Sequence, residues 1–73
     1  MVHKGDVFVD NRPESLLIWI HVAAKDASDG YVDGPQLCIV KDTGELYSIQ
    51  ANGTGREGLK LLGNVYAAEK VSA

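Results

Sequence analysis

The sequence predicts a mostly β fold in a single domain over residues 1–73, and three observations support this prediction. The length of 73 residues, 45% of them hydrophobic, suits one small core, because a typical domain needs about 100–150 residues. Short runs rich in β-branched and aromatic residues recur along the chain. Between these runs lie clusters of Gly, Asp, Asn and Pro, which are typical of turns.

The fold class depends on the apolar run over residues 16–24. Its β-branched residues and Trp19 favour a strand. The run is also apolar on every side, so no amphipathic stripe marks a surface helix. The alternative is an α+β domain, in which Pro13 begins a helix that ends at Lys25 and lies across a three-stranded sheet.

The chain alternates between predicted strands and turns. The predicted strands are residues 7–9, 16–24, 36–41, 46–50 and 59–62, the last of which ends before Gly63. The predicted connections are a long exposed loop at 25–35, a hairpin turn at 42–45 and a mobile glycine-rich loop at 52–58. The tail from residue 65 onward forms a helical turn or a last strand. Five short strands in so small a chain favour a compact antiparallel barrel of the SH3-like or Sm-like kind.

The cysteine and histidine content argues against several kinds of site. Cys38 is the one cysteine, so it cannot close an intrachain disulfide. His3 and His21, without a second cysteine, cannot assemble a four-ligand structural zinc site. The sequence also shows no arrangement of nucleophile, base and acid. We therefore expect no metal, no cofactor, no catalytic residue and no enzymatic activity.

Two loops resemble ligand-binding motifs only superficially. Residues 53–58 match the pattern Gly-x-Gly-x-x-Gly, but a dinucleotide site needs a surrounding βαβ unit that this chain cannot form. Asp26, Asp29 and Asp33 lack the ligand spacing of a calcium-binding loop. We interpret both segments as solvated loops.

Charge and hydropathy narrow the range of partners. The net charge is −3, and the seven basic residues are dispersed along the chain, which argues against a broad basic surface. The longest apolar run is about half of the ~20 residues that a membrane-spanning helix needs. The amino-terminal residues reach a charge at once and form no signal sequence. We expect a cytoplasmic protein without a membrane contact.

The apolar run over residues 16–24 has more apolar surface than one core needs. In a strand, its even-numbered residues form one face and its odd-numbered residues form another that is nearly as apolar. The second face must be covered by the segment around Val65, Tyr66 and Val71, by another copy of the chain or by a partner. We hypothesise a non-enzymatic interaction module that self-associates or docks on a protein. The residues assigned to this contact are Leu17, Trp19, Tyr31 and Tyr47.

The alternative hypothesis is a small barrel that binds single-stranded nucleic acid. Lys41, Arg56 and Lys60 would then gather on one side of the sheet to contact phosphates or other anions. Tyr47 would stack on a base beside them.

Residues 4–12, Lys-Gly-Asp-Val-Phe-Val-Asp-Asn-Arg, resemble the opening of short uncharacterised small-barrel proteins encoded by bacteriophages, particularly those of actinobacteria. The resemblance implies a small barrel and an accessory or host-directed protein that acts by contact. After Arg12 the chain departs from those proteins, in which further arginines and a more polar strand follow. No functional residue carries over.

Overall fold

The computed structural model describes residues 1–50 and 53–67 and shows a mostly β chain. Its strands are β1 (Asp6–Asn11), β2 (Leu17–Val22), β3 (Tyr31–Val32), β4 (Pro35–Val40), β5 (Leu46–Gln50), β6 (Thr54–Gly55) and β7 (Lys60–Asn64). A short helical turn begins at Val65. The predicted mostly β class is confirmed, and the α+β alternative is wrong because β2 occupies the segment proposed as a helix.

Five strands form one antiparallel sheet in the order β5-β4-β2-β1-β7, and β3 pairs with β6 in a separate two-stranded sheet. β2 is the middle strand of the large sheet, paired with β1 on one side and β4 on the other. The large sheet is open, with β5 and β7 at its edges. The predicted five-stranded antiparallel sheet is therefore present.

The predicted hairpin between β4 and β5 is confirmed. The two strands pair from Pro35 with Gln50 to Ile39 with Leu46. The backbone N–H of Val40 donates to the carbonyl of Glu45 at 2.9 Å and closes the turn. Gly44 has a φ of 74°, a left-handed conformation that glycine adopts without a steric penalty.

Three other predictions about the chain path are wrong. The last strand does not end before Gly63, because β7 continues to Asn64 and pairs with β1 through a register shift between Val7 and Phe8. The loop predicted at residues 25–35 contains β3. The loop predicted at 52–58 contains β6, and its residue 52 lies outside the described residues, as does the tail at 68–73.

A buried carboxylate fastens β7 to the start of β1. The side-chain N–H of Asn64 donates to Asp6 Oδ1 at 2.9 Å, and the backbone N–H of His3 donates to Asp6 Oδ2 at 2.9 Å. Burial alone raises the pKa of Asp6, but these hydrogen bonds and the nearby positive charges outweigh it and hold the pKa below its ordinary value. The ionised carboxylate thus orders the amino-terminal turn and the end of β7.

The core lies on one side of the large sheet, where the amino-terminal segment meets β1, the end of β2 and β3. Its buried residues are Val2, Phe8, Ala23 and Val32, with Ala27 and Leu59 packed against them. Phe8 is fully buried, and burial of a phenylalanine side chain contributes about 1.5–3 kcal/mol. Val2 and Ala27 exchange two backbone hydrogen bonds of 2.9 Å, which hold the amino terminus over this cluster.

Gly34 permits a close backbone approach at the corner between β3 and β4. A Cβ atom on Gly34 would collide with the carbonyl oxygen of Val22 and would lie 2.9 Å from the backbone nitrogen of Ala24. The same corner is closed by a 2.8 Å hydrogen bond from the Ala24 N–H to the Asp33 carbonyl. Both close neighbours of Gly34 are backbone atoms, so no side-chain rotation can relieve the clash.

We expect Gly34→Ala to lower the free energy of unfolding by about 1–3 kcal/mol, because an added methyl group forces the backbone apart. Gly55→Ala is the matched control, since a Cβ there has no neighbour within 4 Å. Urea unfolding followed by circular dichroism measures both changes. Equal losses of unfolding free energy in the two variants would contradict the conclusion that backbone atoms crowd Gly34.

Candidate functional site

The alternation of side chains in β2 divides the large sheet into two faces. The register pairs Trp19 with Asp10 on β1 and Cys38 on β4, and pairs Cys38 with Tyr47 on β5. We call this side the aromatic face, which comprises Phe8, Asp10, Leu17, Trp19, His21, Cys38 and Tyr47. The other side is the aliphatic face, which comprises Val7, Val9, Ile18, Ile20, Val22, Leu37 and Ile39, together with the polar residues Asn11 and Ser48.

One end of the aromatic face is covered by the chain itself. Phe8 belongs to the core, and the guanidinium of Arg56 lies 5.4 Å from the centroid of its ring. A groove of about 350 Å³ separates the sheet from the β6 region and is lined by Trp19, His21 and Leu59 together with polar residues. This end of the sheet therefore has a second layer.

His21 lies under that layer, opposite Phe8 in the β1–β2 register. It is 7% exposed, and its Nδ1 atom has no hydrogen-bond partner. Burial lowers the pKa of His21 below 6.5, and the charge of Asp10 opposes this shift without reversing it. The neutral imidazole is therefore the form that the fold favours.

We expect the free energy of unfolding to fall as the pH drops below 6.5, because unfolded His21 binds a proton at its ordinary pKa while folded His21 resists it. The His21→Gln variant should lose this fall. His3→Gln is the control and should keep it. Urea unfolding at several pH values separates this effect from that of Asp6, whose lowered pKa places its contribution at more acidic pH than that of His21. If the free energy of unfolding of His21→Gln falls with pH as steeply as that of the wild type, another group is responsible for the pH dependence.

The open end of the aromatic face holds most of the residues predicted to make a contact. Trp19 is partly buried, Cys38 beside it is 5% exposed, and Tyr47 is 49% exposed. The Tyr47 hydroxyl donates to Glu45 Oε2 at 2.7 Å, which raises the pKa of Tyr47. Leu17 shares this face, whereas Tyr31 lies on β3, in the separate small sheet. The structure thus brings Leu17, Trp19 and Tyr47 onto one face and leaves Tyr31 apart.

The surroundings of Trp19 are charged. A second groove of about 360 Å³ borders Trp19, and Asp10 and Arg12 line both grooves. Arg12 Nε donates to Asp10 Oδ1 at 3.1 Å, so the two charges pair with each other. Glu14 lines the second groove as well. The open end of the aromatic face is therefore a mixed polar and aromatic surface.

The three basic residues predicted to bind anions do not form one patch. Lys41 donates from Nζ to the carbonyl oxygen of Arg12 at 2.8 Å, near the turn between β1 and β2. Arg56 lies over Phe8 on the aromatic face. Lys60 pairs with Val9, which places it on the opposite, aliphatic side of the sheet. The sheet thus separates Lys60 from Arg56.

The aliphatic face has no fully buried residue: each of its members is partly exposed, while the buried core lies on the aromatic side. Leu46 and Leu62 extend this surface at its rim and are 61% and 59% exposed. Within the described strands, the register places one charged residue, Lys60, on this side. The described residues therefore leave an apolar sheet face, with Lys60 at its edge, open to solvent.

Sequence reasoning centred the contact on Trp19 and did not select Ile18, Ile20, Leu37 and Ile39. A signal for these residues was present, since the even positions of β2 are all aliphatic. The sequence could not show which face the core occupies, because that depends on where distant residues such as Val2 pack.

Residues 1–50 and 53–67 contain no group of three or more His, Cys, Asp or Glu side chains that could hold a metal ion. In the same part of the chain, no helix is long and apolar enough to cross a membrane. Comparison of the chain with protein-family models, curated proteins and solved structures found no match in any of the three.

Proposed function

We propose that this chain is a non-enzymatic interaction module that works by protein–protein contact through the aliphatic face. The observation that carries the proposal is the open apolar surface centred on Ile20 and Leu37. Large contiguous apolar patches on soluble proteins mark interaction sites, because leaving them in water is unfavourable. A strand alternation that places aliphatic residues on an uncovered face provides such a patch.

The shape and charge of the aliphatic face favour a protein over a small ligand. Small-molecule sites are concave and carry a few convergent polar groups. This face is the surface of a sheet, and its one charged strand residue, Lys60, lies on the edge strand β7. A broad and neutral surface of this kind matches another apolar protein surface.

A role in binding single-stranded nucleic acid has less support. Trp19 and Tyr47 offer aromatic rings on one face, but Asp10 and Glu45 bring carboxylates to both of them. Phosphate contacts need basic groups that converge along a groove, and the structure separates the basic residues. We therefore retain protein contact as the proposed function.

Two finer proposals concern fold and origin. The first is that the fold is an SH3-like or Sm-like barrel. Closure of such a barrel requires pairing between β5 and β7, which are the two edges of the sheet. The second is that the chain is an accessory, host-directed protein encoded by a phage. Its support is the resemblance of residues 4–12, which include the amino-terminal turn and β1, to phage proteins. A protein with that role would act by contact with another protein.

We expect the wild-type chain either to exceed its monomer mass of 7.8 kDa or, when monomeric, to bind the apolar dye ANS on the aliphatic face. Ile20→Lys should weaken both properties, because it places a charge at the centre of that face. Leu61→Lys is the matched control, since Leu61 is a 46% exposed strand residue that pairs with Phe8 on the other side. Light scattering, ANS fluorescence and circular dichroism are recorded on the same samples.

A chain that neither associates nor binds ANS would overturn the proposal. So would loss of contact in a folded Trp19→Ala variant when Ile20→Lys retains it, because the aromatic face would then be the contact surface. Salt-dependent binding of a single-stranded oligonucleotide, in the absence of any effect of Ile20→Lys, would favour the nucleic-acid alternative.

A further inference from the structure

We propose that the occupant of the aliphatic face is a second copy of this chain, which packs face to face to form a two-sheet sandwich. This inference rests on the proposed function and names the partner. Domains are built from at least two packed layers, and one copy supplies a second layer only over one end of the aromatic face. A second copy supplies the layer that the aliphatic face lacks.

The area of the aliphatic face fits a dimer interface. Five strands spaced about 4.8 Å apart, with five or six residues that each rise about 3.3 Å, form a face of about 24 Å by 18 Å. The relief of the side chains increases the accessible area, so two such faces would remove on the order of 1,000 Å² from water. This area is near the lower end of the range that specific interfaces bury.

Residues 68–73 by themselves are too few to be the occupant. Residues 68–73 span about 20 Å if fully extended and about 9 Å if helical. Val71 is their one large apolar residue. A segment with a single such side chain cannot cover a face whose central strand alone presents Ile18, Ile20 and Val22.

The charge distribution also favours a second copy of the chain as the partner. The face carries Lys60 at its edge and no opposite charge among its strand residues, so a strongly charged partner would find no complementary groups. A second copy presents an equally neutral surface. Since the interface holds no pair of opposite charges among its strand residues, added salt should not weaken the association.

The dimer has a defined geometry. A two-fold axis makes the interface isologous, so each aliphatic face meets the same face of the other copy. Aligned sheets pack about 10 Å apart with their strands about 30° from parallel, and their inner side chains interdigitate. Ile20 on the middle strand β2, and Leu37 opposite it on β4, then lie near the middle of the interface.

Sedimentation equilibrium over a wide concentration series tests the proposal. We expect the wild-type mass to double from 7.8 kDa, and Ile20→Thr to raise the dimer dissociation constant about 100-fold or more, because the change occurs in both copies at the interface centre. Thr keeps the β-branched shape that strands favour, so the monomer should still fold. Leu61→Thr is the matched control on the other face and should leave the dissociation constant unchanged.

Isotope-filtered nuclear Overhauser spectra on a mixture of labelled and unlabelled chains provide a second measurement. We expect intermolecular signals between methyl groups of Ile18, Ile20, Leu37 and Ile39. A dimer whose signals come from Trp19 or from the edge strands would overturn the inference. A chain that stays monomeric at millimolar concentration would also overturn it, and ANS-induced shifts of the same methyl groups would then show that the proposed function survives without self-association.

Discussion

The register of β2 is the constraint on which the rest of the structure depends. Because side chains alternate along a strand, a slip of one residue would exchange every residue between the two faces. β2 pairs on both sides, and its alternation therefore fixes which residues of β1 and β4 share each face. Since β2 is apolar at nearly every position, the register creates two apolar faces in a chain that covers only part of one.

The cover over the aromatic face is assembled from weak local elements. β3 and β6 are two residues each, and the amino terminus is held by the paired backbone of Val2 and Ala27. These segments close over Phe8 only when residues far apart in the sequence come together, which makes the core a product of long-range contacts. A small core of this kind leaves little stability in reserve. Association on the opposite face would add burial that the single chain lacks.

Local sequence signals predicted the elements that depend on neighbouring residues. The β4–β5 hairpin follows from a short turn that contains Gly44, and β2 follows from its β-branched residues and Trp19. The paths of β3 and β6 could not be predicted, because two-residue strands carry no periodicity. The end of β7 was predicted too early because a glycine such as Gly63 often ends a strand. In the structure, β7 continues past Gly63 because it pairs with β1 and because the Asn64 side chain donates a hydrogen bond to Asp6. Which face of the sheet stays open depends on long-range packing of this kind, so the sequence could not show it.

The position of the single tryptophan has a spectroscopic consequence. Trp19 lies on the aromatic face between Asp10 and Cys38, with its side chain on the opposite side of the sheet from Ile20. Its emission therefore reports the integrity of β2 and the solvent around the two grooves. Contact between aliphatic faces would take place on the far side of the backbone from the indole ring. Intrinsic fluorescence, the usual optical signal for a small protein with one tryptophan, would follow unfolding while remaining nearly silent to pairing.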